Sequence, residues 1–115
     1  MKLQDAYFSE QNQYGGWGLI GYTAPGTGSS VSFKGTTFTY GIGADALAWN
    51  SETTNAVTAA WQAENTETAL NDCAKNNIWQ INTKAATKLV TEYEAKAPTD
   101  NNCKVLTPSF EKIGK

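Results

Sequence analysis

A chain of 115 residues suits a single domain with one modest core, to which four Trp, five Tyr and four Phe contribute large buried areas from few positions. Nine Lys, no Arg and eleven acidic residues leave a net charge of -2 with no basic cluster. That argues against a dedicated nucleic-acid binder, because phosphate contacts need grouped cations and guanine is read by the absent guanidinium fork. The lack of His removes the commonest general base, the zinc imidazoles and every Ser-His or Cys-His nucleophile.

Over residues 3–14, Leu3, Ala6, Tyr7, Phe8 and Tyr14 recur near the 3.6-residue period, with Gln4, Asp5, Ser9, Gln11 and Asn12 between them. The pattern predicts an amphipathic helix over residues 1–14, too short to persist in water without a surface to pack on. Met1-Lys2-Leu3 enters this pattern without a capping residue, so the helix reads as the C-terminal part of a longer one. Gly15-Gly16 is expected to supply a left-handed exit.

Residues 15–30 carry six Gly and one Pro around Trp17, Leu19, Ile20 and Tyr22. This predicts a packed, Gly-rich surface loop with one short strand near residues 19–22. Trp17, beside three glycines, is expected to be the exposed ring, whereas Trp61 and Trp79 are assigned to the core.

Residues 31–34 and 37–40 alternate about Gly35 and predict a strand or tight strand pair. Residues 56–65 alternate again, with Val57, Ala59, Trp61 and Ala63 on one side. Ile78, Trp79 and Ile81 mark a further strand over residues 78–83, giving an antiparallel meander across 31–83. Residues 85–96 hold good helix formers, with Leu89, Val90 and Tyr93 on one face and Pro98 as a stop, and predict a short helix. Thr99-Asp100-Asn101-Asn102 is turn chemistry, and Val105, Leu106, Phe110 and Ile113 are expected to pin the tail to the core.

Cys73 and Cys103 stand thirty positions apart, outside any C-x-x-C spacing. A single disulfide is the natural pairing, worth roughly 3 to 4 kcal/mol if it forms; the alternative is two buried free thiols in a reducing compartment. No apolar run approaches the length that spans a bilayer, and there is no internal repeat.

The peptide Gln4-Asp5-Ala6-Tyr7-Phe8-Ser9-Glu10-Gln11-Asn12-Gln13-Tyr14-Gly15 resembles the A-x-E/D-A-Y-F/Y-x-E-x-x-x-Y-G segment with which many bacterial type IV pilins end their long helix. Leu70-Asn71-Asp72-Cys73, taken with Cys103, is similar to the bridge that encloses the variable C-terminal region of pilins. The resemblance implies an α+β fold, an N-terminal amphipathic helix packed on a small antiparallel sheet, followed by a disulfide-bounded region over residues 73–103. It implies one pilin-like domain over 1–115, lacking the hydrophobic N-terminal half-helix through which such proteins sit in the inner membrane before assembly.

The function implied is that of a structural, non-enzymatic subunit of an extracellular filament. Its partners would be identical subunits and the pilus assembly machinery, and it would need no cofactor or metal. Leu3, Tyr7 and Tyr14 would divide between holding the helix to the sheet and facing the filament interior. Residues 15–30 and the Cys73 to Cys103 region would meet neighbouring subunits.

Other readings compete with this one. A major pseudopilin of a secretion system would carry a calcium loop near the C-terminus, for which Asp100-Asn101-Asn102 offer oxygen ligands. A carbohydrate-binding or adhesive module would stack sugars on Trp17, Tyr22 or Trp49. An enzyme would need two carboxylates facing across a cleft, and neither Glu92 with Glu94 nor Glu64 with Glu67 is expected to do so.

Overall fold

The computed structural model describes residues 2–44, 46–85 and 91–113. Helix α1 (Lys2–Gln11) is followed by β1 (Tyr14–Gly15), the single-turn helix α2 (Trp17–Ile20) and strands β2 (Thr27–Ser29), β3 (Ser32–Lys34) and β4 (Thr39–Gly41). Then come β5 (Glu52–Thr53), β6 (Val57–Glu64), β7 (Ile78–Thr83) and β8 (Tyr93–Lys96), with α3 (Asn101–Lys104) and a 3-10 turn (Phe110–Lys112) closing the chain. Six strands form one antiparallel sheet in the order β2-β3-β4-β6-β7-β8, and β1 pairs with β5 in a separate two-stranded ribbon.

The long strands lie where the alternation is strongest. β7 occupies the predicted residues, and β6 runs the length of its Val, Ala and Trp alternation. β6 carries a bulge at Ala59, which adopts φ 52°. Its displaced backbone is still satisfied: the Ala59 N–H donates to Asn82 Oδ1 at 2.6 Å, and its carbonyl accepts from Gly43 at 2.9 Å.

Several expectations are corrected. The fold is not a helix packed on a small sheet; it is mostly sheet, six strands plus a two-stranded ribbon, with only a ten-residue N-terminal helix. The sheet begins at Thr27 and ends at Lys96, outside the expected 31–83, because edge strands too short to show a clear period are recruited by pairing with stronger neighbours.

Helix α1 stops at Gln11. Asn12 takes the left-handed conformation (φ 57°) and donates its N–H to the Phe8 carbonyl, so Asn rather than Gly15-Gly16 ends the helix, and Tyr14–Gly15 becomes strand β1. The segment 15–30 is not all loop. It contains α2 where a strand was expected, ended by Gly21 at φ 74°, and then β2.

Residues 93–96, expected in a helix, form edge strand β8. Four ladder partners on β7 and the burial of Tyr93 and Ala95 on one face outweigh the helix propensity of Glu, Ala and Lys. Leu89 and Val90, the remainder of that expected helical face, lie outside the described residues.

Opposed residues share a face, so the register sorts the sheet into two sides. Phe33, Tyr40, Trp61, Ala63, Trp79, Ile81 and Ala95 line one side. Lys34, Thr39, Gln62, Glu64, Gln80 and Glu94 line the other, which is mostly polar, with Ile78 exposed opposite Glu64. The first side is the one on which Trp17 packs with Phe33 and Trp79 with the disulfide.

Candidate functional site

Two covers lie on the apolar side. The first is α1 with α2. Phe8 and Tyr14, 2% and 1% exposed, pack with tilted rings 5.0 Å apart between centres and are the apolar anchor of α1. The Tyr14 hydroxyl donates to the Glu92 carbonyl at 3.4 Å and accepts from the Glu92 N–H at 3.1 Å. Asp5 Oδ1 accepts from the Thr91 hydroxyl at 2.6 Å and from the Tyr93 hydroxyl at 2.7 Å, and Tyr7 donates to Glu52. Burial first, and the hydrogen bond to Asp5 second, hold the Tyr93 hydroxyl protonated well above the ordinary tyrosine range.

The short helix α2 turns Trp17 under the cover. Its indole N–H donates to the Ala60 carbonyl at 2.9 Å, and its ring meets Tyr22 edge-on at 4.7 Å. Gly18 lets Trp49 lie against this turn, since a Cβ there would come within 2.5 Å of the indole.

The second cover is α3 with the 3-10 turn, joined to the loop after β6 by the Cys73–Cys103 disulfide, both cysteines fully buried. Trp79, 4% exposed, packs on the disulfide and donates its indole N–H to the Thr107 hydroxyl at 2.8 Å. Asn65, with no exposed surface, ties the same loop: its Nδ2 donates to the Ala74 carbonyl and its Oδ1 accepts from the Asn77 N–H, each at 2.8 Å.

Between the covers the described residues leave two hollows on the apolar side. A hollow of about 410 Å³ borders α1 and is floored by Trp61 and Ile81. A second hollow of about 590 Å³ borders the C-terminal cover and is floored by Tyr40, Trp61 and Trp79. They share Trp61, whose ring stands 6.1 Å from Tyr40 and whose indole N–H donates to the Tyr22 hydroxyl at 3.1 Å. Sharing that ring, they read as one aromatic-floored trough, with Lys2 as the charged residue on its border among the described residues.

Of the residues singled out from sequence, Tyr14 is buried, Tyr7 is half-buried and Leu3 is exposed at the border of the hollow beside α1. Trp17 is corrected from exposed ring to core at 4% exposure, because α2 gives its indole N–H a carbonyl partner; Tyr22 is half-buried. Trp49 is the exposed tryptophan. Trp61, assigned to the core, is only half-buried, and Val105, expected to pin the tail, is 69% exposed.

One Asp100 oxygen accepts from the Asn102 N–H at 2.8 Å and caps α3. No group of three or more His, Cys, Asp or Glu that could hold a metal ion occurs among the described residues. Glu94 lies on a strand rather than a helix, hydrogen-bonded to Asn82, and Glu67 pairs with Lys34 at 2.8 Å. Among the described residues no helix is long and apolar enough to cross a membrane. The trough was missed from sequence because its floor reads as ordinary core alternation; among the described residues, α1 with α2 and the C-terminal segment leave it uncovered.

Compared with known proteins, the chain matches no family model, and no curated protein or solved structure shows a significant similarity to it.

Proposed function

We propose that this chain is a structural subunit of a type IV pilus-like extracellular filament, in which identical copies bury their apolar faces against one another. The observation that carries the reading is the open trough: a side of a six-stranded sheet lined by Trp61, Tyr40 and Ile81 and left partly uncovered is a surface for assembly. The buried disulfide supports an oxidising, extracytoplasmic setting. The Tyr7, Phe8, Tyr14 and Gly15 pattern, with Phe8 and Tyr14 as buried anchors, supports the pilin likeness. Use of Asp100 as a helix cap favours a pilus over a calcium-binding secretion relative.

In this reading the subunit makes and breaks no bond. It reaches the filament through the pilus assembly machinery from an inner-membrane-anchored state. Immunogold electron microscopy with antibodies to the domain is expected to decorate filaments on the native cell. In the native gene, an apolar segment of about 20 or more residues behind a short basic leader is expected ahead of Leu3. Undecorated filaments together with a reading frame lacking that segment overturn the proposal.

A further inference from the structure

The C-terminal cover is held to the sheet by few side chains of its own. From Thr99 to Ile113 the one buried residue is Cys103; Thr107, Phe110, Glu111 and Ile113 are half-buried, and Val105 stands 69% exposed. Among the described residues the backbone hydrogen bonds of this segment run within it, between Asp100 and Ile113. Towards the sheet, the Thr107 hydroxyl accepts from the Trp79 indole at 2.8 Å, Glu111 Oε2 accepts from the Ala97 N–H at 3.4 Å, and Phe110 packs on the Trp79 cluster. These attachments are slight against the entropy of ordering so long a segment.

The other end of the disulfide is firmly anchored. Leu70 and Cys73 exchange backbone hydrogen bonds at 2.8 and 2.9 Å, and Asn65 fixes the same loop through Ala74 and Asn77. Cys103 instead stands on α3, a single turn whose other residues, Asn101, Asn102 and Lys104, are exposed. The bond therefore joins a fixed loop to a segment that has little else to hold it.

We propose that the Cys73–Cys103 bond is a redox latch: intact, it holds the C-terminal segment over Trp79, and on reduction that segment leaves the sheet while the sheet stays folded. Opening of the single turn α3 gives a small dithiol access to the buried sulfurs. One thiolate of the dithiol attacks a sulfur, forming a mixed disulfide and expelling the other cysteine as a thiolate. The second thiol of the reagent then closes a disulfide within the reagent and expels the first cysteine. Cys73 and Cys103 end as thiols, and the two electrons and two protons they gain come from the dithiol.

The sheet survives because its ladders from β2 to β8 and the Trp17, Ala24 and Phe33 cluster include no residue of the released segment. Release takes Leu106, Thr107 and Phe110 from the wall of the second hollow and bares Trp79. This goes beyond the filament reading and does not depend on it.

Hydrogen exchange read by mass spectrometry on the complete chain, with and without dithiothreitol, tests the latch, alongside a Cys73→Ser/Cys103→Ser variant that cannot form the bond. In the reduced protein, exchange over residues 99–113 is expected to rise at least about tenfold, as for a segment that has left the fold. Strands β3, β4 and β6 are expected to keep their protection, the far-UV circular dichroism to persist and the tryptophan emission to shift to the red as Trp79 meets water. The double variant is expected to show the same pattern without reductant.

Unchanged exchange over residues 99–113 in fully reduced protein overturns the proposal, since the segment then stays seated without the bond. So does loss of protection in every strand, which would make the bond a staple of the whole domain. A disulfide that dithiothreitol leaves intact under native conditions overturns it as well, because such a bond is a fixed brace.

Discussion

Gln4 and Gly15 hold each other through two hydrogen bonds: the Gln4 side-chain nitrogen donates to the Gly15 carbonyl at 2.9 Å, and the Gly15 N–H donates to Gln4 Oε1 at 2.8 Å. Both residues are buried, and the pair fastens the first turn of α1 to strand β1. A glutamine on the helix thus does for β1 what a strand partner would.

Gln4→Ala leaves the N–H and carbonyl of Gly15 without these partners in a buried setting. The expected loss is about 2 kcal/mol, the scale of leaving buried backbone groups unpaired. Urea denaturation of the two proteins measures it. A loss below about 0.5 kcal/mol, within the range of neutral surface changes, would show that the clasp contributes little.

Removing the cross-link, by reduction or by replacing both Cys73 and Cys103 with Ala, is expected to lower stability by about 3 to 4 kcal/mol for a separation of 30 residues. That is a large share of the margin of a small domain. The intact protein should weigh two protons less than the reduced form, and alkylation without reductant should leave it unmodified. Two readily alkylated thiols in the native protein would contradict the bridge.

Asn65→Ala removes the side chain that bonds both Ala74 and Asn77. Since Asn65 is fully buried, the cost is expected to be about 2 kcal/mol. Hydrogen exchange should also rise in the loop between β6 and β7 more than in the strands. Uniform exchange changes would mean that Asn65 supports the whole sheet rather than the loop.

Alkali should weaken the protein through Tyr93. Its folded pKa is raised, chiefly by burial and next by the bond to Asp5, so the neutral hydroxyl is favoured in the folded state. The resulting stability is fully present below the unfolded tyrosine value near 10 and declines as pH rises above it toward the folded pKa. Urea midpoints taken from pH 8 upward should fall beyond pH 10, and Tyr93→Phe should flatten that fall while costing about 1 kcal/mol at neutral pH. An equally steep decline in Tyr93→Phe would assign the alkaline loss to other groups.

The sequence by itself determined the strongly alternating strands, β6 and β7 and the β3–β4 pair, because a period of two reports which residues seek a common face without reference to their partner. Two cysteines allow a single intramolecular pairing, so the partners of the staple were legible as well, while the bond itself is seen in the fold. Only the tertiary structure decided the rest. Tyr93, Glu94, Ala95 and Lys96 suit a helix locally, yet four residues are too few for propensity to overrule a ladder offered by β7.

Trp17 could be placed only once the Ala60 carbonyl, far along the chain, was brought beneath it. The open trough is likewise a property of the assembled covers: Trp61 belongs to an ordinary alternating strand, and among the described residues it stays half-buried between the two hollows. Local period records a residue's preference for burial, while long-range pairing and layer geometry decide whether anything arrives to bury it.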